Sequence, residues 1–133
     1  MYDSGRQTRC FTYVGDIVEG TIAAASNDDA VGEVFNLGST AEWAISDAIA
    51  VIIDQAGGDV DMEPFLTAEE LGGAYQDIDR RVPDVTKARS LLGWEAQTPL
   101  AEGVAQTIQW ARAHPSWLSE TMASEPSTAS SRP

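Results

Sequence analysis

Eight basic residues stand against 21 acidic ones in this chain, and they are unevenly spread: Arg6, Arg9, Arg80, Arg81, Lys87, Arg89, Arg112 and Arg132. Six of them fall in two clusters, at 6–9 and at 80–89. A guanidinium fork matches two phosphate oxygens at once, which makes arginine the residue suited to a phosphate clamp. Arg9 lies in a stretch of strand composition, and Arg80 and Arg81 lie on a loop before a helix. A fold that joins the clusters builds a clamp for a dianion such as a pyrophosphate. The other reading is plain ion pairing, because Asp77, Asp79 and Asp84 flank the second cluster. Asp16 and Asp84 each stand at or just before a helix start, where a carboxylate caps backbone N–H groups. A ribose-hydroxyl contact is the sharper role open to Asp84.

Other chemistries find little support. Cys10 is the single cysteine and His114 the single histidine. A thiol nucleophile needs a base within reach, yet Cys10 sits in an alternating apolar run and His114 just before a proline at a helix end. One Cys and one His at these positions build no zinc site. Net charge is −13 with a pI near 4.1, and there is no basic stripe for nucleic acid or an anionic membrane. The acidity reads as a solvated, repulsive surface. The 133 residues leave room for one domain, and the 43% apolar content is enough for a core. The N-terminus lacks the apolar stretch of a secretory signal, and no apolar run is long enough to span a bilayer. A lone cysteine fits a reducing compartment, so the expected location is cytoplasmic.

These residues must be positioned by elements whose signals run in alternation. "DSG" at 3–5 marks a turn, and "QTRCFTYV" reads as a strand, with only Met1 and Tyr2 as the other arm of a hairpin. Asp16 and Glu19 resemble a capping box, opening a helix with Ile17, Val18, Thr21, Ile22 and Ala25 on one face. "EVFNLGS" reads as a short strand ending at Gly38. Ile45, Ala48, Ile49, Ile52, Ile53 and Ala56 recur at helical spacing, up to Gly57-Gly58. "DVDMEPF" is a candidate edge strand, and residues 66–82 look irregular. "VTKARSLLG" is a two-turn helix closed by Gly93. In "TPLAEGVAQTIQWARAH", Thr98 is the expected N-cap, Pro99 the first helical residue, and Leu100, Val104, Ile108 and Ala111 the apolar stripe. Trp94 and Trp110 are expected in the core; Trp43 and Trp117 are given no role. From Met122 the Ser/Pro-rich tail carries a composition typical of disorder.

The stretches "GRQTRCFTYVGDIVEG", "EVFNLGS" and "DIDRRVPDVTKARSLLGWEAQTPLAEGVAQTIQW" together resemble the C-terminal part of the extended short-chain dehydrogenases/reductases. That family comprises NAD-dependent nucleotide-sugar epimerases, dehydratases and decarboxylases. The look is nearest to UDP-glucuronate decarboxylases, through the patterns QTR-x-F-x-YV-x-D and RR-x-PD-x-x-KA-x-x-LLGWEP, and it covers about residues 2–112. The resemblance implies that Arg9 and Arg81, with Arg80 as neighbour, bind the diphosphate of a nucleotide sugar. It places Gln7 near that ligand, and has Asp16 order the strand-to-helix turn.

Departures from the family are as informative. No Gly-x-x-Gly-x-x-Gly turn for the NAD pyrophosphate occurs. No Tyr-x-x-x-Lys pair occurs either: Tyr2, Tyr13 and Tyr75 are followed four residues on by Arg6, Ile17 and Asp79, and Lys87 is preceded by Pro83. Ala44 stands where the family often caps its second helix, and Ala96 replaces a proline. The expected fold is thus α/β: the substrate-binding lobe, over residues 1–118, without its Rossmann cofactor domain, followed by a disordered tail at 119–133. The start of the chain is expected to fall inside the family's hairpin. The implied partners are a UDP-sugar or related nucleotide sugar and a separately encoded cofactor domain. NAD belongs to the intact family enzyme and is not expected on this chain alone. The function expected is the diphosphate clamp of such an enzyme. The alternatives are a non-catalytic nucleotide-sugar-binding module and a truncated product without function.

Overall fold

The computed structural model describes residues 5–58 and 78–117. The expected Met1-Tyr2 arm, the edge strand "DVDMEPF", residues 66–77, and the tail with Arg132 lie outside the described residues.

Strand β1 (Thr8–Cys10) pairs antiparallel with β2 (Glu42–Ala44), in the register Thr8–Ala44, Arg9–Trp43, Cys10–Glu42. On the other side of β1, Arg80 forms a parallel bridge with Thr8, and the Thr8 N–H donates to the Asp79 carbonyl at 2.8 Å. The strand expected to run to Val14 therefore stops at Cys10. Its β-forming composition continues, but the ladder does not: Thr12 Oγ1 accepts the Ser39 N–H at 2.9 Å, a side chain standing in for a backbone bond. "EVFNLGS" also departs from expectation. Residues 33–39 are in no described ladder, and the second strand lies at Glu42–Ala44 instead. A strand needs a neighbour to bond to, and local composition does not supply one.

Helix α1 (Val14–Ala25) starts two residues before Asp16 and has no side-chain cap. Asp16 is no capping box. Its carboxylate is buried, at 6% exposure, and points across the molecule to accept the Thr98 N–H at 3.0 Å and the Thr98 hydroxyl at 2.8 Å. Those bonds pin the entry of α3 (Leu100–Ala113) onto α1. Thr98 is thereby occupied, and the helix begins after Pro99 without a side-chain cap. The face of α1 turned inward is Asp16 and Gly20. Val18 and Ile22, expected inside, are exposed. Gly20 gives the buried Trp94 ring its place: a Cβ there would lie 2.8 Å from Trp94 Cε2.

Helix α2 (Ile45–Ala56) ends at Gly57 in the left-handed conformation, φ 73°, whose N–H returns to the Ile53 carbonyl. Ala44 gives no side-chain cap, but the first-turn donors are met otherwise. The Ile45 N–H reaches the Gln7 carbonyl and the Ser46 N–H the Gly5 carbonyl, at 3.1 and 3.0 Å. α2 packs on α3, where Gln55 donates to the Ala101 carbonyl and Arg112 to that of Ala56. A short helical segment opens at Thr86, widens to a π-turn over Ala88–Leu92, and closes at Gly93, again left-handed. Among the described residues the buried apolar side chains are Ala48, Val85, Ala88 and Trp94. Trp110, expected in the core, is 46% exposed and stacks on His114. No described helix is long and apolar enough to cross a membrane.

Two substitutions test this packing. Asp16→Ala strands the Thr98 donors and is expected to lower unfolding free energy by about 2–3 kcal/mol, with Asp16→Asn losing less because its oxygen still accepts one donor. Gly20→Ala gains about 1 kcal/mol of helix propensity but overpacks the Trp94 ring, an effect of about 1–3 kcal/mol. A net loss is expected. Urea denaturation followed by tryptophan fluorescence reads both.

Candidate functional site

The segment before Asp84 is drawn to the sheet by β1, and the segment 36–38 closes on it from the other side. Asn36 Nδ2 donates to the Asp84 carbonyl at 3.0 Å, and a Cβ on Gly38 would come 3.3 Å from Pro83 Cγ. Between these strips and β1 lies a cleft of about 540 Å³, lined by Arg9, Cys10, Thr12, Asn36, Leu37, Gly38, Arg81, Val82, Pro83 and Asp84.

Three of the residues singled out from the sequence, Arg9, Arg81 and Asp84, thus border one cleft. Arg9, half-buried, also donates through Nη1 to the carbonyls of Thr8 and Ile78, at 2.8 and 2.6 Å. Those bonds hold its guanidinium at the β1 edge. Arg81 is exposed and enters no ion pair among the described residues. Asp84 takes the Thr86 N–H on Oδ1 at 2.9 Å, so it does cap the following helical turn. The Thr86 hydroxyl and N–H hold its carboxyl below the usual carboxylate range. At neutral pH it is an ionised, acceptor-only group suited to hydroxyl donors.

Gln7 and Arg80 are placed differently. Gln7 precedes β1 and contributes its carbonyl to the start of α2. Arg80 turns away from the cleft to Glu42, with Nε–Oε2 at 2.9 Å and Nη2–Oε1 at 2.6 Å. Lys87 and Arg89 pair with Glu33 and Glu95, so for them the plain ion-pairing reading describes the structure. Cys10 borders the cleft, but burial, and after it the charge of Glu42, push its thiol up, partly offset by Arg80. A neutral thiol is a poor nucleophile. Among the described residues no cluster of His, Cys, Asp and Glu could hold a metal ion.

Thr12, Asn36 and Pro83 were not singled out from the sequence as site residues. The signal available for Asn36 was its type: asparagine is depleted in strands, so one inside "EVFNLGS" hinted at a special position.

A dinucleotide site needs a parallel strand–helix–strand unit with a glycine-rich turn. The described strands form one antiparallel pair, and neither that turn nor a Tyr-x-x-x-Lys pair is in the sequence.

The GDP-mannose 4,6-dehydratase family model matches residues 1–107. The chain is 36% identical over 114 residues to a UDP-N-acetyl-alpha-D-glucosaminuronate decarboxylase of Bacillus cytotoxicus, covering 84% of this chain and 35% of that protein. It is 40% identical over 112 residues to UDP-glucuronic acid decarboxylase 1 of Xenopus tropicalis, covering 84% and 25%. Among solved structures it is similar to the Bordetella bronchiseptica enzyme WbmF in complex with NAD+ and UDP. That similarity has a TM-score of 0.70 and 27% identity, over 90% of this chain and 34% of that one. The chain thus spans about a quarter to a third of the length of the relatives it matches. With the family model matched over residues 1–107, the chain belongs to the GDP-mannose 4,6-dehydratase family of extended short-chain dehydrogenases/reductases, which act on nucleotide sugars.

Proposed function

We propose that this chain is the nucleotide-sugar-binding lobe of such an enzyme, with Arg9 and Arg81 gripping the diphosphate and Asp84 accepting a ribose hydroxyl. The role is assigned to residues 1–118. The observation that carries it is the meeting of Arg9, Arg81 and Asp84, from two distant segments, on one cleft of about 540 Å³. Gln7 and Arg80 serve from behind, through the backbone of α2 and the pairing with Glu42. The substrate class is a UDP-sugar, in line with the relatives' printed substrates. In this reading oxidation and reduction of the sugar fall to a cofactor domain, since residues 1–133 carry neither the glycine-rich turn nor a Tyr-x-x-x-Lys pair.

One surface favours such a partner over a self-sufficient binding module. Val14, Val18 and Ile22 repeat every four residues along α1 and are 65%, 50% and 60% exposed. A contiguous apolar stripe of this kind is a docking surface.

Calorimetry with UDP and with uridine tests the clamp. Arg81→Ala is expected to weaken UDP about 10- to 100-fold, the loss of one charge-assisted contact of about 1.5–3 kcal/mol, and to leave uridine unchanged. Equal affinities for UDP and uridine in the native chain would sink the reading. Cys10 gives a second test. Because its thiol is raised, less of it is thiolate at a given pH, so alkylation should be slower than for an ordinary cysteine and its rate profile displaced to higher pH. UDP is expected to protect Cys10; alkylation unaffected by saturating UDP would put the nucleotide elsewhere.

A further inference from the structure

The Arg80–Glu42 pair is more elaborate than an exposed ion pair needs to be. Both nitrogens of the fork are engaged, at 2.9 and 2.6 Å, and Thr8 Oγ1 donates to the same Glu42 Oε2 at 3.1 Å. The Arg80 side chain is 67% exposed and that of Glu42 33%. Exposed pairs contribute little to stability, whereas a bidentate pair fixes direction. The Glu42 carboxyl is held low, first of all by the hydrogen bond from Arg80, so the pair is charged throughout the neutral range.

What it fixes is the segment that carries Arg81. Arg80 bridges Thr8 on β1, and the Asp79 carbonyl accepts the Thr8 N–H. In extended chain, successive side chains point to opposite sides. Once Arg80 is held on Glu42, its successor is turned the other way, and Arg81 is the one of the two that borders the cleft. The pair also neutralises Arg80, which would otherwise offer an anion a second place to settle.

We propose that Glu42 and Arg80 are positioning residues for Arg81: a charge-paired strut from β2 that sets the span between the Arg81 and Arg9 guanidiniums and so tunes the cleft to a diphosphate. This rests on the clamp reading, but the strut is measurable without it. The variants Glu42→Gln and Arg80→Gln, and the exchange Glu42→Arg with Arg80→Glu, are compared in the full chain. Three readouts are taken: nitrogen-15 relaxation of the Arg81 amide, UDP affinity by calorimetry, and the urea midpoint.

Each single substitution is expected to mobilise Arg81 and weaken UDP about tenfold, and the exchange to recover much of that loss, as for a directly coupled pair. The urea midpoint should hardly move. An Arg81 amide as ordered in Glu42→Gln as in the native chain overturns the proposal, whatever happens to UDP. Weaker UDP binding with Arg81 unmoved overturns it too, since Arg80 would then be a direct contact. A loss of binding that follows a loss of stability and is not recovered by the exchange also overturns it. If the native chain does not bind UDP, the clamp reading fails, and the relaxation of Arg81 still decides the strut.

Discussion

The hydrogen bond from the Thr8 N–H to the Asp79 carbonyl, with the adjoining Thr8–Arg80 bridge, is the constraint on which the site depends. It brings a late segment of the chain alongside β1, the one strand already committed to β2 on its other edge. Everything in the cleft follows from that lateral contact. Arg9 can then reach the Ile78 carbonyl, Pro83 can close on Gly38, and Asn36 can bond to the Asp84 backbone. Without it the two arginine segments are merely two exposed basic stretches of an acidic chain.

Polar contacts share the packing around this bond with apolar ones. The buried apolar side chains among the described residues are small, apart from Val85 and Trp94. Side-chain-to-backbone bonds take over much of the task of fixing element against element: Asp16 to Thr98, Gln55 to Ala101, Arg112 to Ala56, Thr12 to Ser39. Such bonds are directional where apolar contact is not. They hold polar groups at a set spacing. They also explain why so much apolar surface on α1 can remain outside: the described lobe is organised without it.

The sequence carried the parts of this arrangement that are local. Glycine stops at Gly57 and Gly93, the periodic α2, the helix before His114 and the cap at Asp84 all follow from residue type and near spacing. What it did not carry is what depends on a distant partner. Asp16 reads as a cap until Thr98 is seen to need it. "EVFNLGS" reads as a strand, although nothing described pairs with it. Val18 and Ile22 fit an inward stripe, yet Gly20, which has no side chain to bury, faces in because Trp94 lies over it. Arg80 and Arg81 are neighbours of one type, and no local rule separates them. Only the carboxylate of Glu42, on another strand, decides which of the two turns to the cleft.

Charge completes the account. Lys87 and Arg89 answer nearby carboxylates and Arg80 answers Glu42, so most of the second cluster is cancelled by the acidic excess of the chain. Arg9, held by the carbonyls of Thr8 and Ile78, and Arg81 border the cleft, with ionised Asp84 at its edge. Two guanidiniums and one carboxylate on a single cleft offer donors to a phosphate and an acceptor to a hydroxyl. In the proposed reading, a ligand that satisfies all three is doubly anionic in one part and carries free hydroxyls in another, the pattern of a nucleoside diphosphate. The surrounding negative surface repels unspecific anions, and pairing to carboxylates gives Arg80, Lys87 and Arg89 partners of their own.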